Sequence, residues 1–198
     1  MMPIYDWQNC ESVSSIDEYE VMDEIVSLYH KELNRDLFCL EVGSYRGQST
    51  VLLAQYGTVF AIDLWADIHD GTANIDKAGQ TSFLEFMETM QRFGLIAEQR
   101  VFPILGTSLC ADFFPPGQCD VIYIDGSHYY EPAKLDIQHT KSRLSTDGLY
   151  LFHDYKRQGD RPGIGVNQAI DELLQEGEFI IQEHFHGLAC LRRIREVA

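Results

Sequence analysis

The sequence predicts an α/β fold in one domain: a mostly parallel sheet with helices on both faces, finished by an antiparallel C-terminal hairpin. Three observations predict it. From residue 37 onward, short apolar runs bounded by turn residues alternate with stretches of helical spacing, the pattern of successive βα units. Two β-like runs follow the last helix too closely for a crossover, so they pair as a hairpin. A chain of 198 residues with 45% hydrophobic content fits one ordinary domain of about 100–200 residues.

The elements read in order as follows. Ile16, Tyr19, Met22, Val26, Tyr29 and Leu33 recur at three-to-four spacing and predict an opening helix, with Ser14 or Ser15 placed to cap it. Strands are predicted at 37–42, 58–63, 100–105, 119–125 and 147–153, and helices at 47–56, 80–93, 131–143 and 164–176. The hairpin runs Glu178 to Glu183 and Gly187 to Arg192. Residues 1–36 then form a helical extension, 37–176 a binding core and 177–198 the hairpin, without repeats or a linker. In open sheets of this kind ligands bind beyond the carboxyl ends of the strands, where strand order reverses.

The first strand runs into Glu41-Val42-Gly43-Ser44-Tyr45-Arg46-Gly47-Gln48-Ser49. A dinucleotide site wants G-x-G-x-x-G with helix N–H groups facing a pyrophosphate; here a carboxylate stands where the first glycine would be. A carboxylate repels phosphate and attracts an ammonium. The second strand ends in Asp63, placed to accept hydrogen bonds from ribose hydroxyls, with Leu64 and Trp65 able to flank an adenine. The third ends at Gly106-Thr107-Ser108, small polar groups for a base edge. Together these describe a pocket for an adenosine bearing an amino acid. The plainer alternatives are a tight turn for the glycines and a helix cap for Asp63.

The ordered set E-V-G-S-x-x-G-x-S, A-I-D, G-T-S, D-x-I-x-I-D-G-S-H and D-G-L-x-x-x-H-D-Y resembles the class I S-adenosylmethionine-dependent methyltransferases. Within them it is most similar to the short branch that includes macrocin-type sugar O-methyltransferases and cephalosporin-hydroxylase-like proteins. The likeness covers roughly residues 37 to 176. It implies a Rossmann-like sheet of seven strands with a reversed final strand. It also implies Glu41 near the methionine amino group and Asp63 on the ribose; Gly43, Ser44, Gly47, Ser49, Thr107, Ser108 and Asp125 are the further candidates for the cofactor pocket.

The fourth strand delivers Asp125-Gly126-Ser127-His128 at its carboxyl end, and the fifth delivers His153-Asp154-Tyr155. Neighbouring parallel strands lie about 4.8 Å apart, so these side chains can converge. One reading makes Asp125, Asp154 and His153 ligands of magnesium or manganese, which would hold and acidify an acceptor hydroxyl while His128 removes its proton. The sugar O-methyltransferases carry paired acidic groups at the second strand end, where this chain has His153. The alternative makes Asp125 a partner of the cofactor or of a backbone N–H, and His128 a cap for the helix that Glu131-Pro132 begins. Methyl transfer needs neither metal nor base in principle, because aligning acceptor, methyl and sulfur supplies much of the rate.

Composition narrows the partners. A formal net charge of −16 argues against nucleic acid and anionic membrane, both of which call for clustered Lys and Arg. No stretch is apolar enough to span a bilayer and Met1 to Gln8 lacks a signal-peptide pattern, so a cytoplasmic protein is expected. The five cysteines (10, 39, 110, 119 and 190) form no C-x-x-C pair, and Cys39, Cys119 and Cys190 read as buried hydrophobes. Residues 65–79, with Trp65, Asp67, His69, Asp70, Gly71 and Asn74, and residues 156–165, with Arg157 and Arg161, read as loops over the strand ends. His184 and His186 read as structural or surface residues. The opening helix roofs the pocket or joins subunits in a homo-oligomer. The expected acceptor is a small molecule with a sugar or phenolic hydroxyl. Rival readings are a nicotinamide or flavin oxidoreductase, a cofactor-binding regulatory module without chemistry, and a two-His-one-carboxylate iron site using His128 and His153.

Overall fold

The frame of the molecule is a seven-stranded sheet in the order β5-β2-β1-β6-β7-β9-β8. Its strands are β1 (Leu37–Val42), β2 (Gly57–Asp63), β5 (Val101–Leu105), β6 (Cys119–Ile124), β7 (Leu144–Phe152), β8 (Phe179–Phe185) and β9 (Leu188–Arg193). The computed structural model describes residues 5–10, 16–65, 67–69, 72–74, 77–156 and 165–194. Ser14, Ser15, Asp70, Gly71, Arg157 and Arg161 lie outside the described residues, as do the side chains of Asp67, His69 and Asn74. β5, β2, β1, β6 and β7 pair in parallel; β9 runs antiparallel to β7 and to β8. The hairpin is thus where the sequence places it.

Side chains alternate between faces along a strand, and each face finds its own helices. Cys39, Val59, Ala61, Val121, Tyr123, Leu149 and Leu151 pack with α1 (Ile16–Leu33), α2 (Gln48–Ala54) and α3 (Lys77–Arg92). Leu40, Val42, Ile62, Ile122, Ile124, Tyr150 and Phe152 pack with α4 (Tyr130–Thr140) and α5 (Val166–Gln175). The buried stripe of α1, with Met22 and Val26 wholly inaccessible, lies in the first of these cores.

Several boundaries differ from the sequence reading. The fifth strand begins at Leu144, not 147, because the chain passes from a 3-10 turn at Lys141–Arg143 straight into the sheet, with an irregular register opposite Cys119 and Val121. The stretch 65–79 is not all loop: β3 (Asp67–His69) and β4 (Thr72–Asn74) form a separate antiparallel pair, and α3 starts at Lys77. Strands of three residues carry too little periodicity to be seen. All five cysteines are unpaired, and Cys39, Cys119 and Cys190 are buried as expected.

Strand order reverses between β1 and β6, which is where such sheets bind ligands. The register sets what stands there. Val42 is level with Ile62 and with Ile124, and Ile124 with Phe152. The next residue on each strand is therefore Gly43, Asp63, Asp125 and His153, a row aimed at the face carrying α1, α2 and α3.

Candidate active site

The turn after β1 is built on two glycines with φ +89. At Gly43 a Cβ would lie 2.1 Å from the Asp125 carbonyl oxygen, and at Gly47 it would lie 2.5 Å from Met90 Cε on α3. Close approach is the reason for both, although the approaching groups are the protein's own. Asp63 holds the turn in shape: Ser44 N–H donates to its Oδ2 at 2.7 Å, Tyr45 N–H to the same oxygen at 2.8 Å and Trp65 N–H to Oδ1 at 2.6 Å. Burial raises the Asp63 carboxyl above its ordinary pKa, and these three N–H donors oppose the rise.

Glu41 is wholly buried, with Ser44 Oγ donating at 2.8 Å and Thr50 Oγ1 at 2.5 Å to its Oε2. Its Oε1 has no hydrogen-bond partner. Ser44 therefore joins the two carboxylates, its hydroxyl to Glu41 and its N–H to Asp63, so both belong to one environment. Burial pushes the Glu41 carboxyl up from about 4.5 to about 7, against the pull of Ser49, Thr50 and Ser44. An orphaned, buried carboxylate oxygen suits an ammonium donor, which fits the amino end of S-adenosylmethionine.

This has a measurable consequence. A carboxyl with a raised folded pKa costs stability as it ionises, so its effect grows from about pH 4.5 and is complete above about pH 7, at roughly 3 kcal/mol. Glu41→Gln is expected to raise the melting temperature of the ligand-free chain at pH 8, and to weaken S-adenosylmethionine binding by at least about tenfold. Calorimetry and a thermal melt on one sample check both; lower stability at pH 8 would count against the buried charge.

Of the remaining cofactor candidates, Trp65, Ser49 and Ser108 are buried within the protein, whereas Thr107 is exposed. Trp65 is 4% exposed, packs on Phe83 and Phe86, and donates from Nε1 to the Tyr45 carbonyl at 2.8 Å. Its ring thus braces the turn against α3. Leu64 beside it is half-buried. Thr107 Oγ1 accepts from Leu109 N–H at 3.4 Å, and buried Ser108 bonds Asp136 of α4, a carboxyl that burial pushes up to about 6. Ser49 is buried near Glu41.

At the ends of β6 and β7 the structure brings together Asp125, His128, His153 and Asp154. His128 Nε2 lies 2.5 Å from Asp154 Oδ2, with the imidazole 59% exposed and the carboxylate 8%. Asp154 adopts φ +61, a left-handed conformation uncommon outside glycine, which turns its carboxylate toward the loop after β6. His153, buried, has Nδ1 3.0 Å from Asp125 Oδ1 and 3.3 Å from Asp154 Oδ2, while its Nε2 is 3.2 Å from Oε2 of Glu18 on α1. Tyr123 donates its hydroxyl to Asp125 Oδ2 at 3.1 Å. A cavity below these groups is floored by Ile124, Phe152, Ala133, Ile137, Val166 and Ile170, between α4 and α5.

Electrostatics follow from these contacts. Burial works against a charge on His153, yet Asp125, Asp154 and Glu18 outweigh it and raise its pKa. Burial likewise opposes ionisation of Asp154, and the two imidazoles overcome it and hold the carboxyl well below the usual range. The hydrogen bond that His128 donates to Asp154 raises the imidazole above its ordinary value.

The roles of the two histidines differ from the sequence expectation. Asp125, His128 and Asp154 each offer a donor atom within 4.8 Å of the others, and that set could hold a cation. His153 is not in the set; both of its nitrogens face carboxylates. His128 does not cap α4 either, since Tyr129 occupies that position and its side chain makes no capping hydrogen bond. Glu18 escaped the sequence reading because an acidic residue in a first helical turn looks like ordinary dipole compensation. Its i, i+4 spacing to buried Met22 was the available signal.

Comparison with known proteins agrees with this geometry. Residues 40–155 match the family model described as a methyltransferase domain. An uncharacterised protein of Acanthamoeba polyphaga mimivirus is 22% identical over 172 residues, covering 81% of this chain and 70% of that protein. An uncharacterised protein of Sinorhizobium fredii is 26% identical over 139 residues, covering 70% of this chain, which spans only 14% of that longer relative. Among solved structures, the O-methyltransferase NovP superposes with TM-score 0.73 at 18% identity, over 94% of this chain and 84% of NovP. Fibrillarin of Aeropyrum pernix, in complex with natively bound S-adenosyl-L-methionine, gives 0.53 at 14%, over 81% of this chain and 67% of that one. The sheet order and the likeness to these structures give it the class I S-adenosylmethionine-dependent methyltransferase fold, and the family match, which spans more than half of its length, makes the chain a member of the methyltransferase domain family.

Proposed function

We propose that this chain transfers the methyl group of S-adenosylmethionine to a hydroxyl of a small molecule, with His128 taking the hydroxyl proton. The observation that carries the reading is the His128–Asp154 contact: an exposed imidazole anchored at 2.5 Å by a buried carboxylate, on the loop after β6, the strand that pairs with the Glu41-bearing β1. Asp154 engages Nε2, so the ring keeps its proton there and leaves the Nδ1 lone pair for the acceptor. Asp154 then stabilises the imidazolium that forms, as a carboxylate does in other His–Asp pairs. Glu41 would accept from the methionine ammonium through Oε1, and Asp63, through lone pairs its N–H donors leave free, from the ribose. Gly43, Ser44, Gly47, Ser49, Leu64, Trp65, Thr107, Ser108 and Asp125 support or border that pocket. The cofactor when bound supplies a methyl on a cationic sulfur, a group that needs alignment more than activation. With the cofactor bound, His128 would take the acceptor proton as the hydroxyl oxygen bonds the methyl carbon, and the electron pair of the C–S bond would leave with sulfur.

A second reading rests on the donor set of Asp125, His128 and Asp154. Mixed nitrogen and oxygen ligands suit a divalent ion such as magnesium or manganese, which would bind and acidify the acceptor hydroxyl. His128 would then be a ligand and not a base. Incubating the purified chain with methyl-labelled cofactor and a panel of sugars and phenols, with and without chelator, tests both. Methylated product that persists in chelator supports His128 as base; loss on chelation, reversed by added metal, moves it to ligand; no product from any acceptor counts against methyl transfer.

The charge of −16 supports a small acceptor over nucleic acid, and the five unpaired cysteines fit a cytoplasmic setting. Among the described residues no helix is long and apolar enough to cross a membrane. We treat residues 1–198 as one domain that functions as a unit, with or without self-association.

A further inference from the structure

We propose that Glu18 is a positioning residue of the methyl-transfer site, holding His153 so that Asp154 stays turned toward His128. The proposal rests on the reading of His128 given above. Glu18 stands in the first turn of α1 and is 1% exposed, whereas its neighbour Asp17 remains in solvent. Its position four residues before Met22 puts it on the stripe that packs against the sheet. Withdrawing a carboxylate from water is unfavourable unless it is paired. His153 supplies the pairing, with Nε2 3.2 Å from Glu18 Oε2.

The contact matters because of what happens at the other nitrogen. Asp125 Oδ1 and Asp154 Oδ2 both approach His153 Nδ1, at 3.0 and 3.3 Å, yet with the ring in its observed plane neither contact has hydrogen-bond geometry, and one N–H could not satisfy both. The Asp154 oxygen involved is the one that anchors His128 at 2.5 Å. Small rotations of the His153 ring therefore decide whether that oxygen serves His153 or His128. With no aligned hydrogen bond at Nδ1 the ring is free to pivot unless the carboxylate at Nε2 fixes its plane from the opposite side. Glu18 is the residue that does this, and it makes α1 part of the site. The effect on turnover is a loss of roughly 10–100-fold on removal of the carboxylate, the range seen when supporting partners of a working side chain are removed.

The test needs no acceptor. The full chain is labelled with 15N-histidine, and the His128 ring signals are assigned by their disappearance in His128→Asn. In Glu18→Ala and in the isosteric Glu18→Gln, the His128 ring signals are expected to shift, and in Glu18→Asp to return toward the wild-type positions. His128 signals that stay unchanged in either folded variant overturn the proposal. Binding of S-adenosylmethionine, measured by calorimetry on the same samples, is expected to be unaltered; loss of binding in folded Glu18→Gln would make its role one of general integrity and also overturn it. A wild-type chain that binds no cofactor would defeat the methyl-transfer reading separately.

Discussion

Replacing His128 with alanine is expected to lower methyl-transfer turnover by roughly 10²–10³-fold while leaving S-adenosylmethionine affinity unchanged. The imidazole is exposed on the loop after β6, whereas the cofactor candidates around Glu41 lie on β1 and the turn that follows it. Removing the base leaves alignment intact, so some transfer survives. The pH dependence sharpens the test. A base works in its neutral form, and Asp154 raises the His128 pKa, so wild-type activity climbs with pH through a midpoint above the ordinary histidine value. Asp154→Asn removes the charge that raises it. The acid limb should then move to lower pH while maximal turnover falls, because the ring loses the partner that fixes its tautomer. A limb that does not move in Asp154→Asn would mean that another group titrates there.

Much of the frame is legible in the sequence because it rests on strong local signals. The apolar runs that become β1, β2, β5 and β6 end within a residue or two of the sequence boundaries, and the turn after β1 needs its glycines where φ is positive. What the sequence places only roughly is direction. It puts His128, His153, Asp125 and Asp154 at neighbouring strand ends, but which histidine faces solvent depends on the pleat: His153 shares the row of Gly43 and Asp125 and points under α1, while His128 sits on the loop that follows β6. Trp65 shows the same limit. An aromatic residue after β2 reads equally as a wall for adenine or as a brace, and its contacts with Phe83 and Phe86 arise from α3, about twenty residues further on. Glu18 depends on the longest-range fact of all, the packing of the opening helix against the end of β7, which no periodicity carries.

The second large effect is expected at Gly43, where alanine should destabilise the chain by about 3 kcal/mol or more and lower its melting temperature by roughly 6–12 °C. Two separate costs combine. A side chain at φ +89 is strained wherever it occurs, by roughly 1–2 kcal/mol. At this position the added carbon would also lie 2.1 Å from the carbonyl oxygen and 2.4 Å from the carbonyl carbon of Asp125. These are backbone atoms of β6's end, so no rotamer change can relieve the overlap. Gly117 separates the two costs, since it has φ +71 and nothing within 4 Å of the added carbon. Gly117→Ala should therefore lose only the conformational share. Relief of the clash in Gly43→Ala requires β1 and β6 to part at the point where strand order reverses, and Asp125 must move with them. Any folded fraction should then have lost both cofactor affinity and turnover, a pairing not expected of Gly117→Ala. Equal melting temperatures for the two variants would show that β1 and β6 can separate cheaply, and that the tight contact of Gly43 with Asp125 does not hold the two halves of the site together.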